Sequence, residues 1–302
     1  MRQFLQQLAN GVVLGATYGL IALGYTMVYG IIQLINFAHG EIYMVGGFAA
    51  LAAWTALPDG VPAVLAIAIM LVAAMGVAVV TALLMERFAY RPLRHAPRLA
   101  PLITAIGVSI FLQEAVRLFY PGAKSPLSFP RLISGPPVSV GGVTISRASI
   151  FVVITAVFLM IALQAFVQRS RTGKAMRATA QDPDTAKLMG IDTNKIIVIT
   201  FALGAALAGV AGVLTGLRFN QISFSIGFIA GLKAFTAAVL GGIGNIAGAV
   251  YGGFLLGIVE VMATQYLPLG SGYKDMWAFV VLILLLVFRP SGLLGERVAA
   301  RA

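Results

Sequence analysis

IIVITFALGAALAGVAGVLTGL, from Ile196 to Leu217, is bounded by Lys195 and Arg218 and holds no charged residue between them. About 20 apolar residues, rising 1.5 Å each in a helix, cross the hydrocarbon layer of a bilayer. No water reaches the backbone there, so the run must satisfy its own amides and carbonyls, which a helix does. The pattern repeats outward from this stretch. No charge falls between Arg2 and Glu41, Asp59 and Glu86, Arg147 and Arg169, or Lys233 and Glu260. A transmembrane barrel would show alternating segments of about ten residues, whereas these runs are continuous. Only 10% of the 302 residues are charged and 60% are hydrophobic, with mean hydropathy +0.96. The chain therefore reads as an all-α, polytopic membrane protein rather than a soluble domain.

Nine apolar runs follow in order: Leu8–Ile32, Ile42–Leu57, Ala63–Leu84, Leu99–Phe119, Ala148–Val167, Ile196–Leu217, Gly227–Leu240, Ala247–Tyr266 and Met276–Phe288. The expectation is 8–9 transmembrane helices, some of them broken, in one transmembrane domain over residues 1–302. The opening MRQFLQQLANG resembles the start of a signal sequence, but no small-residue cleavage site precedes a soluble region, so the first helix is expected to stay. Basic residues set the orientation. The loop after the third run carries Arg87, Arg91, Arg94 and Arg98, the segment 169–195 carries six more, and the tail carries Arg289, Arg297 and Arg301. By the positive-inside rule these faces are cytoplasmic, with residues 120–147 and, if all nine runs span, the amino terminus outside. This topology also accounts for the net charge of +11, which needs no nucleic-acid partner.

The basic insert, RSRTGKAMRATAQDPDTAKLMGIDTNK (Arg169–Lys195), lies between two bare runs. Within it, DPDTAKLMG has the punctuation of a separately capped helix. Asp182 can accept from the first amides, Pro183 suits the first helical position, and Gly190 suits the left-handed residue after the last turn. Leu188 and Met189 beside Lys187 would give such a helix an apolar face for a groove on a soluble partner. The plainer reading is a solvated loop with one helical turn.

Charges at membrane depth are costly and point to function or to pairing. Lys233, Glu260, Glu114 and Glu41 are the candidates. Lys233 paired with Glu260 or with Glu41 would neutralise both partners without any transport role. Asn36, His39, Gly40 and Glu41 form a polar knot, NFAHGE, with the composition of a broken helix whose free backbone groups line a cavity. Gly241, Gly242 and Asn245, in GGIGN, look like its counterpart, and VGGF at 45–48 matches YGGF at 251–254 in outline. Small residues at four- or five-residue spacing (Gly248, Gly252, Gly257; Ala205, Gly209) allow close backbone approach, within this chain or to another membrane subunit.

Other chemistries find no support. There is no cysteine, and His39 and His95 stand alone, so neither thiol catalysis nor a metal cluster is expected. G-x-x-x-x-G-K-[ST] is absent, as are the G-x-S-x-G elbow and any paired carboxylates. If ATP is used, another chain uses it.

The runs GYTMVYGIIQLINFAHGEIYMVG, ERFAYRPLR, LITAIGVSIFLQE, GKAMRATAQDPDTAKLMGID and GLKAFTAAVLGGIGNIAGAVYGG resemble the LivH-type permeases of branched-chain amino acid ABC importers over nearly the whole chain. The resemblance implies a bacterial inner-membrane subunit working with a second, LivM-like permease, two cytoplasmic ATPases that hold ATP and Mg, and a periplasmic binding protein. The chain itself would carry no cofactor. It also implies that the insert holds a coupling helix seated in an ATPase cleft, with Asp182, Pro183, Ala186, Lys187, Leu188 and Gly190 at the contact. The fuller E-A-A form is absent, with Asp184 and Thr185 in front of Ala186. Asn36, His39, Gly40, Glu41, Lys233, Gly241, Gly242 and Asn245 are then expected along the translocation pathway. Relatives of this pattern could also carry urea, amides or other amino acids. From a different class, a stand-alone channel or secondary transporter would use Glu41, Lys233 and Glu260 as an ion relay, but would leave the capped insert helix without evident purpose.

Overall fold

The structure is a computed structural model that describes residues 1–94, 96–97, 99–267, 271–289 and 291–295. His95 and the tail arginines Arg297 and Arg301, with Arg98, lie outside the described residues. Eleven α-helices are described: α1 (Arg2–Ile32), α2 (His39–Thr55), α3 (Ala63–Met85), α4 (Leu99–Phe119), α5 (Arg147–Arg169), α6 (Arg171–Gln181), α7 (Pro183–Leu188), α8 (Thr193–Phe219), α9 (Ile226–Gly241), α10 (Ile246–Tyr266) and α11 (Lys274–Phe288). Four short strands accompany them, β1 (Leu127–Ser128), β2 (Val138–Val140), β3 (Val143–Ile145) and β4 (Gln221–Ile222). β1 pairs antiparallel with β4, and β2 with β3.

Every apolar run of the sequence is helical. Six helices are long and apolar enough to cross a bilayer: α1, α3 with its continuation to Leu93, α4, α5, α8 and α10. The other three, α2, α9 and α11, have 17, 16 and 15 residues, about 22–26 Å at helical rise and short of the roughly 30 Å hydrocarbon layer. Short spans of this kind stay within a membrane protein only where neighbours cover their ends. α2 and α9 are covered in this way: they pack against each other and against α1, α2 also against α3 and α8, and α9 also against α10 and α11.

The layering follows from side-chain size. In the most apolar 18-residue window, 89% of α1 and 67% of α8 are buried, against 17% of α4 and 28% of α5. α1 and α8 are the axis and α3 to α5 the rim, where Ile103, Phe111, Ile154 and Phe158 point outward. The centre is built from glycine because backbones there touch. A Cβ on Gly15 would collide with Phe254 of α10, and one on Gly257 with Gly15 itself. Gly209 and Gly212 of α8 meet Ala74 of α3 and Gly47 of α2 in the same manner. Where no hydrophobic force separates helix from lipid, such approach supplies the packing energy.

Two contacts define the two ends of the bundle. Gln6 near the start of α1 donates to the Thr144 carbonyl and accepts from its amide (2.9 and 2.8 Å), so the amino-terminal end shares a face with the 120–147 loop. At the other end Arg94 pairs with Glu86 and donates to Asn194 (2.5 Å), joining the basic loop after α3 to the start of α8 and the insert.

Candidate functional site: a mixed-charge cavity and a capped helix of the basic insert

Lys233 lies on α9, eight residues before its end at Gly241, near the middle of that helix, and is buried. A lone ammonium there would be untenable. It is held by two carboxylates, Glu260 of α10 at 2.6 Å and Asp275 of α11 at 2.5 Å. Tyr18 of α1 donates to the second oxygen of Glu260 at 3.0 Å, and its ring lies 5.7 Å from the Lys233 ammonium. Of the two partners expected for Lys233, the structure selects Glu260. Glu41 lies elsewhere and accepts from Ser109 at 3.2 Å.

This cluster lies on an open cavity of about 530 Å³ lined chiefly by α1, α8, α9, α10 and α11. Arg218, the last residue but one of α8, and Lys274 at the start of α11 line the cavity as well. Gln7, Gln221, Thr264 and Gln265 line the end nearest the 120–147 loop, and Leu14, Ile21, Ile226, Ile229 and Val261 give it apolar walls. The site is thus concave and largely apolar with a few convergent charges, the usual form of a small-molecule site.

The remaining pathway candidates are distributed differently. Asn36 accepts from Tyr90 at 2.9 Å, and His39 meets the Tyr25 ring edge-on at 4.9 Å. His39, Gly40 and Glu41 are the first turn of α2 and are buried. Gly40 touches the backbone of Gly227 and Gly231 of α9. The knot is therefore a packed junction between two short helices. Tyr25 Oη, His39 Nε2 and Glu41 Oε2 have no hydrogen-bond partner within it among the described residues. At the glycine hinge, Gly241 lies against Gly248, Gly242 has φ +104° and touches Gly295. Asn245 caps α10 by accepting from the Gly248 amide at 3.0 Å and donates to the Leu294 carbonyl at 2.9 Å. The segment 291–295 thus closes the hinge, with the Leu293 and Leu294 amides donating to Leu240 and Gly241. Among all these candidates only Lys233 lines the cavity. Glu114 pairs with Arg117 at 2.7 Å on the rim helix α4.

The insert is two helices. Ser170 caps α6 by accepting from the Gly173 amide at 2.9 Å. Arg177 donates to the Val167 carbonyl at 2.6 Å, folding α6 back beneath α5. α7 follows as expected: Asp182 accepts from the Asp184 and Thr185 amides (3.0 and 3.1 Å), Pro183 is at the first helical position, and Gly190 takes φ +82°. Lys187 pairs with Asp184 at 3.2 Å. Ala186 is only 3% exposed and faces the bundle, whereas Leu188 and Met189 are 87% and 78% exposed. The outer surface of α7 is consequently that apolar pair, and Ala186 seats the helix on its own chain.

Fold and site together define a polytopic helical permease: a membrane bundle with a solute-sized, largely apolar cavity that holds a few charges, and a capped helix at one end. A family model described as "Branched-chain amino acid transport system / permease component" matches residues 7–288, and the chain belongs to that family. It is 49% identical to the high-affinity branched-chain amino acid transport system permease protein BraD of Pseudomonas aeruginosa, covering 97% of this chain and 96% of the relative. To LivH of Escherichia coli, of the same description, it is 48% identical, again over 97% and 96%. A chain of PsaBC from Streptococcus pneumoniae in complex with Fab superposes with TM-score 0.51 at 11% identity, covering 95% of this chain and 92% of that one, and supports the helical architecture alone.

Sequence reasoning missed Arg218, Asp275 and Tyr18. Arg218 and Asp275 sit where an apolar run meets a loop, positions usually explained by topology, and Tyr18 is one polar group in an apolar run.

Proposed function

We propose that this chain is the membrane permease subunit of an ATP-driven importer of branched-chain amino acids in a bacterial inner membrane. It works beside a second, LivM-like permease, takes its solute from an external binding protein and its energy from two ATPase chains. The family assignment supports the class, and α7 is the observation that carries the mechanism. A six-residue helix capped at both ends and offering two exposed apolar side chains suits a groove on a soluble partner. Because α6 is tied to α5 by Arg177 and α7 leads directly into α8, displacement of α7 is passed to two spans. α8 belongs to the central axis and lines the cavity, so tilting it alters access there. This is alternating access driven from outside the chain.

In this reading the basic faces are cytoplasmic and the Gln7 end of the cavity faces the periplasm. Weak contacts inside the membrane favour release, so the external binding protein sets affinity. The test is co-purification: Leu188→Asp with Met189→Asp should leave the two permeases associated and strip away both ATPase chains. ATPases retained at the wild-type ratio would overturn the proposed docking site.

A further inference from the structure

We propose that a groove between the N-terminal turns of α1 and α5 and the strand β3 holds an acyl chain of an anionic phospholipid, whose phosphate sits at Arg2 and Arg147. The groove, about 420 Å³, shares no lining residue with the charged cavity among the described residues. α1 contributes Leu8 and Val12, α5 contributes Ile150 and Val153, and β3 contributes Val143 and Ile145. Every lining side chain but Ser149 is a hydrocarbon, and the Ser149 hydroxyl is engaged by Ser146 at 2.9 Å. The two hydrogen bonds between Gln6 and Thr144 hold the hairpin against α1. Along α1 the lining runs from Leu5 to Val13, about 12 Å at helical rise. That is most of the roughly 15 Å depth of one hydrocarbon leaflet.

A hydrocarbon groove accepts any lipid tail, so the charge at its mouth sets the headgroup. Arg2 lies one turn before Leu5, and Arg147 opens α5 two residues before Ser149. Both are exposed, and both rest on the segment that carries β2 and β3. A Cβ on Gly142 would meet the Arg2 side chain at 3.1 Å, and one on Gly135 would meet the Arg147 guanidinium at 2.9 Å. Arg147 donates Nε to the Pro136 carbonyl at 3.2 Å, and neither arginine has an ion pair among the described residues. No Asp or Glu occurs from 115 to 181, so the 120–147 loop holds Lys124, Arg131 and Arg147 without a carboxylate. This face lies opposite the arginine-rich loops, where the positive-inside rule leaves few cations to expect. Its counter-charge comes from outside the chain. The amino-terminal end of α5 adds partial positive charge at the same rim. Basic side chains at the headgroup level above an apolar surface for the tail are the combination that retains an anionic lipid.

The test takes the protein in the complex in which it is purified, strips it of lipid in detergent and follows thermal unfolding during titration with palmitoyl-oleoyl phosphatidylglycerol or phosphatidylcholine. Half-maximal stabilisation should need about fivefold or more less phosphatidylglycerol than phosphatidylcholine, the contribution of a single arginine at an anionic surface. Inorganic phosphate should give no shift. Arg2→Gln with Arg147→Gln should bring the two lipids to one midpoint, and Ala9→Phe, which fills the groove, should raise both midpoints. A phosphatidylglycerol carrying a diazirine on its acyl chain should label residues 5–13 and 143–154 of the unsubstituted protein. Unlabelled phosphatidylglycerol should compete that labelling away more effectively than an equal amount of phosphatidylcholine. Equal midpoints in the unsubstituted protein, an equal shift from inorganic phosphate, or a preference that survives in the double arginine variant would overturn the site. Labelling that avoids both segments would overturn it as well, and is the result that a protein partner seated in the groove would give.

Discussion

At the residue scale the decisive group is Lys233. Its ammonium is stable at this depth because Glu260 and Asp275 sit within 2.6 and 2.5 Å. Removing it leaves the buried Glu260 carboxylate without its cation and facing the partly exposed Asp275, and breaking a buried pair in this way costs up to about 3–5 kcal/mol. Lys233→Met should therefore destabilise the protein strongly, while Lys233→Met with Glu260→Gln should cost clearly less than the sum of the single changes. Denaturation in detergent measures this, and additive losses would show that the contact carries no coupling. Asp182 gives a milder case: Asp182→Ala removes the acceptor for two α7 amides and should cost about 1 kcal/mol of local helix stability. Faster proteolysis at residues 183–189 in an otherwise intact bundle would report it. Lys233 and Glu260 were visible in the sequence because a charge in an apolar run has no bland explanation. Asp275 was not, because a carboxylate at the start of an apolar helix has several.

Among the elements, α1 and α10 show how glycine sets distance. Gly15 and Gly257 oppose each other with no room for a Cβ on either. Gly257→Leu should push the helices apart, costing about 1–3 kcal/mol or more and lowering the recovery of folded protein in mild detergent; unchanged recovery would show that the interface can spread. The sequence marked Gly257 among its closely spaced small residues, but neither its partner Gly15 nor which helices meet. The boundaries were less legible at the knot: His39, Gly40 and Glu41 belong to the first turn of α2. Polar composition suggested a connector, but in a bundle where α9 covers that turn, polar groups can begin a helix. α7 was readable to the residue because its signals are local: an acceptor cap, a proline and a left-handed glycine. α6 lacked such closing punctuation at its carboxyl end, and its place is set by tertiary contact through Arg177.

The whole molecule joins a cavity open toward the 120–147 loop to a helix at the opposite end, with α8 common to both. The apolar runs forecast eight or nine helices, and all nine runs are helical among the described residues. That the shortest three lie within or against the centre depended on packing, which periodicity does not encode. The central claim is that force enters through α7 from ATPase partners. It is tested most directly by leucine uptake into proteoliposomes holding both permeases, with and without the ATPases, ATP and the binding protein. Uptake should occur only with all of them present and should vanish in the Leu188→Asp, Met189→Asp variant. Leucine accumulation by the permeases alone, or undiminished ATP-driven uptake by that variant, would contradict it.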